Sequence, residues 1–212
     1  MITSRFLDAP AISPATSVLS ALRAGTAPLH QQLEAQLDLD RCLRSRGHYA
    51  AMLGAMLGGF APLEAALAGF DWQALGLGRN VVGWRPARLE ADLAALGESP
   101  ARIRALPRCV ALPRFETRDQ AFGGLYVLEG SVLGGQVVLR RAAAALGVSA
   151  ESGASFHAGL GRPPAGESWR AFRAALEAHC ADAPAATEAA AATFAALADW
   201  MPRCLPVEAD AA

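Results

Sequence analysis

Between Thr117 and Gly147 the sequence spells one long helix and loads it with glycine. Thr117 and Gln120 stand at capping-box spacing, the chain after them reads as helix as far as Leu146, and Gly147 supplies the stop. Within it lies AFGGLYVLEGSVLGGQVVLRR, which puts Gly123, Gly124, Gly130, Gly134 and Gly135 at interior positions. Each costs about 0.5–1 kcal/mol relative to alanine. In a chain so rich in alanine that cost is avoidable, so the glycines answer a need. Gly130 and Gly134, four apart, lie one above the other on a face stripped of side chains. Two things use such a face: a second helix crossing closely, or a flat ligand laid against the backbone.

The rest of the chain is helical in the same way. Val, Ile and Thr are too sparse among its 212 residues to supply many strands, and 53% of the residues are hydrophobic. Leu19, Leu22, Thr26, Leu29, Leu33 and Leu37 form a stripe at helical spacing. Pro28 interrupts it, so that helix either bends or restarts with Thr26 as its cap. A second helix is predicted over 45–69, with Tyr49, Leu53, Met56, Phe60, Leu63 and Leu67 inward and Gly58, Gly59 and Pro62 available to bend it. Shorter ones are predicted from Pro86 to Gly97 and over 99–109, and two more over 167–181 and 185–201. The expected class is all-α, a single helical bundle over 17–204 with a flexible arm at 1–16 and a tail at 205–212.

Charge narrows the function. Nineteen basic against twenty acidic residues leave a formal net charge of −1, no footprint for nucleic acid or an anionic membrane. Cys42, Cys109, Cys180 and Cys204 contain no CxxC pair, and no triad, Walker loop or GxGxxG appears. The N-terminus lacks a signal-peptide core and no segment approaches ~20 uninterrupted apolar residues, so the protein is expected in the cytoplasm. His48, His157 and His179 read as solvated or capping residues, and Glu129 either pairs with a basic residue or faces solvent, the solvent-facing reading being preferred. His30 lies seven residues after Arg23; in a continuous helix the two share a face. By itself it is an ordinary core or surface histidine, or an axial ligand for haem iron.

The run YVLEGSVLGGQVVLRR, with LRAGTAPLHQQLE upstream and FHAGLGRPPAGESWRAF and ATFAALADWM downstream, resembles the haem oxygenase family, in particular its bacteriophytochrome-linked branch. The resemblance spans most of residues 19–202. It implies a haem-oxygenase-like bundle with His30 as the ligand of haem iron and Arg23 beside a propionate. Gly130, Gly134 and Gly135 then lie over the distal face, with Tyr126 at the haem edge. The implied reaction is oxidation of haem by O2 and reducing equivalents to biliverdin, carbon monoxide and ferrous iron. The implied partners are an external electron donor, ferredoxin or reductase, and a bacteriophytochrome that takes the product. Many members carry an aspartate that orders distal water where this chain has Ser131, which can relay a proton but carries no charge. Ser131 either joins that network or bonds back to a helical carbonyl. The competing reading is a haem carrier of the same fold that does not degrade its ligand.

Overall fold

The computed structural model describes residues 17–206. The predicted arm and residues 207–212 of the predicted tail lie outside the described residues, whereas Leu205, assigned to the tail, is buried. The elements are α1 (Val18–Leu37), α2 (Leu39–Cys42), α3 (Arg46–Leu67), α4 (Arg85–Ala95), α5 (Pro100–Ala105), α6 (Arg118–Leu146), α7 (Ser155–Ala158), α8 (Ala165–His179) and α9 (Ala183–Cys204). Among the described residues no strand forms; isolated bridges occur at Ser149. The all-α expectation holds.

Local chemistry sets the helix ends. Ser17, Ser45 and Ser99 cap α1, α3 and α5 through their hydroxyls, each accepting the amide three residues on. Thr117 and Gln120 form the predicted capping box, and Gly147 closes α6 at φ 65°, a conformation glycine adopts without strain. α2 and α7, of four residues each, were not predicted, because a single turn carries no periodicity.

α1 runs unbroken through Pro28, so it neither ends nor restarts at Thr26, whose hydroxyl instead donates to the Leu22 carbonyl at 2.7 Å. The carbonyl of Ala24, which a proline N–H cannot reach, belongs to an exposed residue where water can meet it. In α3, Gly58 and Gly59 serve packing: a Cβ on Gly58 would meet Trp200 at 2.5 Å and one on Gly59 would meet Leu197 at 2.7 Å. Leu57 rather than Met56 completes its buried face. α3 and α6 are long and apolar enough to cross a membrane by length and composition; both are packed within this bundle.

The alanine-rich α9 is the spine. α1 and α6 both pack along it and scarcely touch each other. A Cβ on Gly25 of α1 would fall 2.3 Å from Thr187, and one on Gly123 of α6 would fall 2.2 Å from the backbone oxygen of Ala186. Both helices are therefore pinned to one level of α9, where only glycine fits. What happens two turns further on determines the site.

Candidate functional site

Past that pinch α6 leaves α9. Gly130 is seven residues beyond Gly123 and so returns to nearly the same helical face about 10 Å along the axis. A Cβ at Gly130 or Gly134 meets nothing within 4 Å, and Leu133 and Val137 beside them are 38% and 47% exposed. The helical glycines thus divide. Gly123 and Gly124 are packing residues, the latter under the Phe115 ring at 2.5 Å; Gly130 and Gly134 open a bare, apolar stretch of backbone.

On α9 the corresponding position, seven residues beyond Thr187, is Phe194. The His30 ring sits edge-on to Phe194 with centroids 5.5 Å apart, and Tyr126 meets the same ring at 6.5 Å. Phe194 is thus the floor of a cleft with His30 on the α1 wall and Tyr126, Gly130 and Gly134 on the α6 wall. Tyr126 is half-buried and also packs on Trp169 and Phe172 of α8. His30 is half-exposed, and its Nδ1 lies 3.6 Å from Glu34, one turn on, which leaves Nε2 free. Since α1 is continuous, Arg23 and His30 lie on one face two turns apart, and Arg23 is exposed. Two open pockets lie off the cleft, about 230 Å³ beside Glu129 and Arg162 and about 380 Å³ between α1 and α9 at Gln32 and Pro202. Neither is lined by His30, Gly130 or Gly134.

Ser131 donates to the carbonyl of Leu128 at 2.7 Å, the back-bonded alternative. Gly135 is buried, against His157: a Cβ there would approach the His157 Nδ1 at 3.4 Å.

Two expectations are corrected. Glu129 does not face solvent but takes the paired alternative, buried between Arg85 (2.8 Å) and Arg162 (3.2 Å to both oxygens). Arg85, 0% exposed, also pairs with Glu64 at 2.7 Å, while Gly83 N donates to Glu64 and Arg162 bonds the Asn80 carbonyl. Trp84 lies against both guanidinium groups, 4.8 and 5.1 Å from its ring. This network fastens the loop before α4 to α6 one residue ahead of Gly130.

Nor is His157 a solvated loop residue. It lies in α7 and is buried, with neither ring nitrogen partnered, and burial lowers its pKa from 6.5 to about 3. The unfolded chain therefore takes up this proton first. Stability that is complete above pH 6.5 drains away as pH falls towards 3, by up to about 1.4 kcal/mol per pH unit. Asp92, raised by burial, works in the opposite sense at the acidic end. The comparison to make is wild type against His157→Gln in urea at pH 7 and pH 5. Wild type should lose about 2 kcal/mol more than the variant; equal losses would show that His157 is not held neutral.

The sequence matches the family described as Heme oxygenase over residues 16–203. The chain belongs to the haem oxygenase family. It is an enzyme, a haem oxygenase by family and by fold. Its fold is similar to that in crystal structures of the NO- and CO-bound heme oxygenase from Neisseria meningitidis, with a TM-score of 0.68 and 22% identity. That match covers 93% of this chain and 96% of the other, and at that identity the likeness bears on the fold. No curated protein matches the chain. This haem oxygenase has a cleft that suits a flat, largely apolar molecule, since bare backbone and exposed aliphatic side chains face a wall carrying a free imidazole nitrogen. Sequence reasoning missed Glu34 and Phe194. Glu34 was signalled by its position four residues after His30; Phe194 was hidden in an alanine tract that looks uniformly structural.

Proposed function

We propose that the chain binds haem in the cleft between α1 and α6 and cleaves it with O2 and reducing equivalents to biliverdin, carbon monoxide and ferrous iron. The observation that carries this is the pair of glycines, Gly130 and Gly134, held in a helix and facing open space. Packing explains Gly123 and Gly124, but it cannot explain a face that packs against nothing.

Bound haem supplies the iron at which oxygen is activated and is itself the molecule cleaved. The protein's part is to hold and orient it. His30 offers Nε2 to iron, with Glu34 favouring a proton on Nδ1 and so leaving Nε2 unprotonated. Arg23, two turns away on the same face, meets a propionate. Leu133 and Val137 would cover the apolar ring, Phe194 and Tyr126 would support its edge, and Gly130 and Gly134 would let the backbone approach, whereas Gly135, expected on the same face, is buried against His157. With its hydroxyl hydrogen given to Leu128, Ser131 is left to accept a hydrogen bond, so a bound water can be oriented by its oxygen. Open-face helical carbonyls keep a second lone pair for the same water.

Electrons come from an external donor, a ferredoxin or a reductase, and biliverdin passes to a bacteriophytochrome. Likeness of YVLEGSVLGGQVVLRR to that branch of the family supports the acceptor. The protein works in the cytoplasm, in keeping with four free thiols and near-zero net charge.

The contrast between glycines is the test. Gly134→Leu should leave the apoprotein as stable as before or up to about 1 kcal/mol more so. Its haemin affinity should fall about tenfold or more, equivalent to 1.4 kcal/mol. Gly123→Ala should do the reverse, costing about 1–3 kcal/mol of stability because backbone stands in the way of its methyl. Titration of both variants with haemin, alongside urea unfolding, checks the pair; a Gly134→Leu protein that binds haemin as tightly as the parent removes the main support for the cleft.

A further inference from the structure

His157 is buried out of water with neither nitrogen paired, and the Tyr49 hydroxyl, on a ring whose centroid is 6.1 Å away, is buried and unpaired too. Buried polar groups that the protein leaves unsatisfied take ordered water, and two or three converging on one spot are what holds such a water in place. The spot lies behind the glycine helix. Gly135 leaves room for the imidazole, Gln136 Nε2 donates to the His157 carbonyl at 3.1 Å, and Asp92 accepts the amides of Ser155 and Phe156 at 2.7 and 2.8 Å, fixing α7 in place. Ser131 is one turn before Gly135 and so lies on the same side of α6, between the open glycine face and the histidine.

We propose that His157 and Tyr49 hold buried water behind α6, making His157 the positioning residue that connects Ser131 to a proton supply on the oxygen-facing side of the cleft. The proposal rests on the haem-cleft reading and adds to it. It accounts for how a serine stands where a charged carboxylate would otherwise order the water. A neutral imidazole has one donor and one acceptor nitrogen. A proton taken up at one nitrogen is matched by release of a proton from the other to the next water, so the ring stays neutral, and a return exchange with water resets the tautomer. The low pKa keeps the ring in this form. Against the ring lie Tyr49 from α3, Phe156 from α7 and Gly135 from α6, with the Gln136 amide on the His157 carbonyl. The α4 groups that hold α7 bond the residues before His157: Asp92 accepts the amides of Ser155 and Phe156, and the Arg88 carbonyl accepts the Ser155 hydroxyl. Asp92 and Arg88 are near each other and oppose in charge.

The test uses His157→Leu, His157→Gln and Tyr49→Phe in the full chain loaded with haemin. His157→Leu should bind haemin with an unchanged Soret band. The pH midpoint of its ferric Soret change should move by roughly half a unit or more, and biliverdin formation should fall about tenfold or further, the low end of what a positioned proton path supplies. His157→Gln, which keeps a donor and an acceptor, should restore both. Should His157→Leu not fold, Tyr49→Phe decides: a moved midpoint supports the relay and an unmoved one overturns it. His157→Leu that folds and matches wild type in midpoint and rate also overturns it while the haem cleft stands. Absence of any Soret band in wild type brings down the cleft and the relay together.

Discussion

Arg85→Met should cost the fold about 3–5 kcal/mol, although Arg85 lies outside the cleft. Its guanidinium is fully buried, bonded to Glu64, Glu129 and the Val81 carbonyl, and stacked on Trp84. Methionine fills much of the volume but leaves the Glu64 carboxylate buried with the Gly83 amide as its one remaining partner among those bonds, and Glu129 with Arg162 alone. That imbalance sets the magnitude: replacing a whole buried ion cluster can be neutral, whereas removing one member strands a charge in low dielectric. Adding Glu64→Gln to Arg85→Met should therefore recover part of the loss. Urea unfolding of the two variants checks this. A single variant within about 1 kcal/mol of wild type would mean that the network is solvated and does not fasten α6.

His30→Ala should have the opposite profile. The side chain is half-exposed and its edge contact with Phe194 is its main packing, so apoprotein stability should stay within about 0.5 kcal/mol. The haemin complex should lose its axial nitrogen: the Soret band shifts and broadens, haem degradation is lost, and added imidazole restores the band by filling the vacated position. An unchanged spectrum would assign the axial ligand to a different residue. Together the variants separate what holds the protein from what holds the ligand.

Much of this architecture was legible in the sequence. The capping box at Thr117 and the glycine stop at Gly147 bounded α6 because both are local chemistry, needing only a few neighbouring residues. Local chemistry fails for groups whose partners are distant. Glu129 looked like a solvent-facing carboxylate because Arg85 lies 44 residues away and Arg162 is 33 away. His157 looked like a loop histidine because its burial depends on α3, α4 and α6 closing over a single turn. The glycines show the limit most clearly. Gly123 and Gly130 share a helical face by spacing, yet one touches the backbone of Ala186 and the other touches nothing, because α6 diverges from α9 between them. Periodicity tells which face a residue occupies; only the path of the neighbouring helix tells what stands opposite.

The direct test is to add haemin to the purified chain, record the Soret band, then supply a reductant in air while following that band together with biliverdin and carbon monoxide. A Soret band should form on mixing, decay once reductant is present, and give way to both products. No Soret band, or a band that persists unchanged under reductant and oxygen as in a simple carrier, would contradict haem cleavage by this chain.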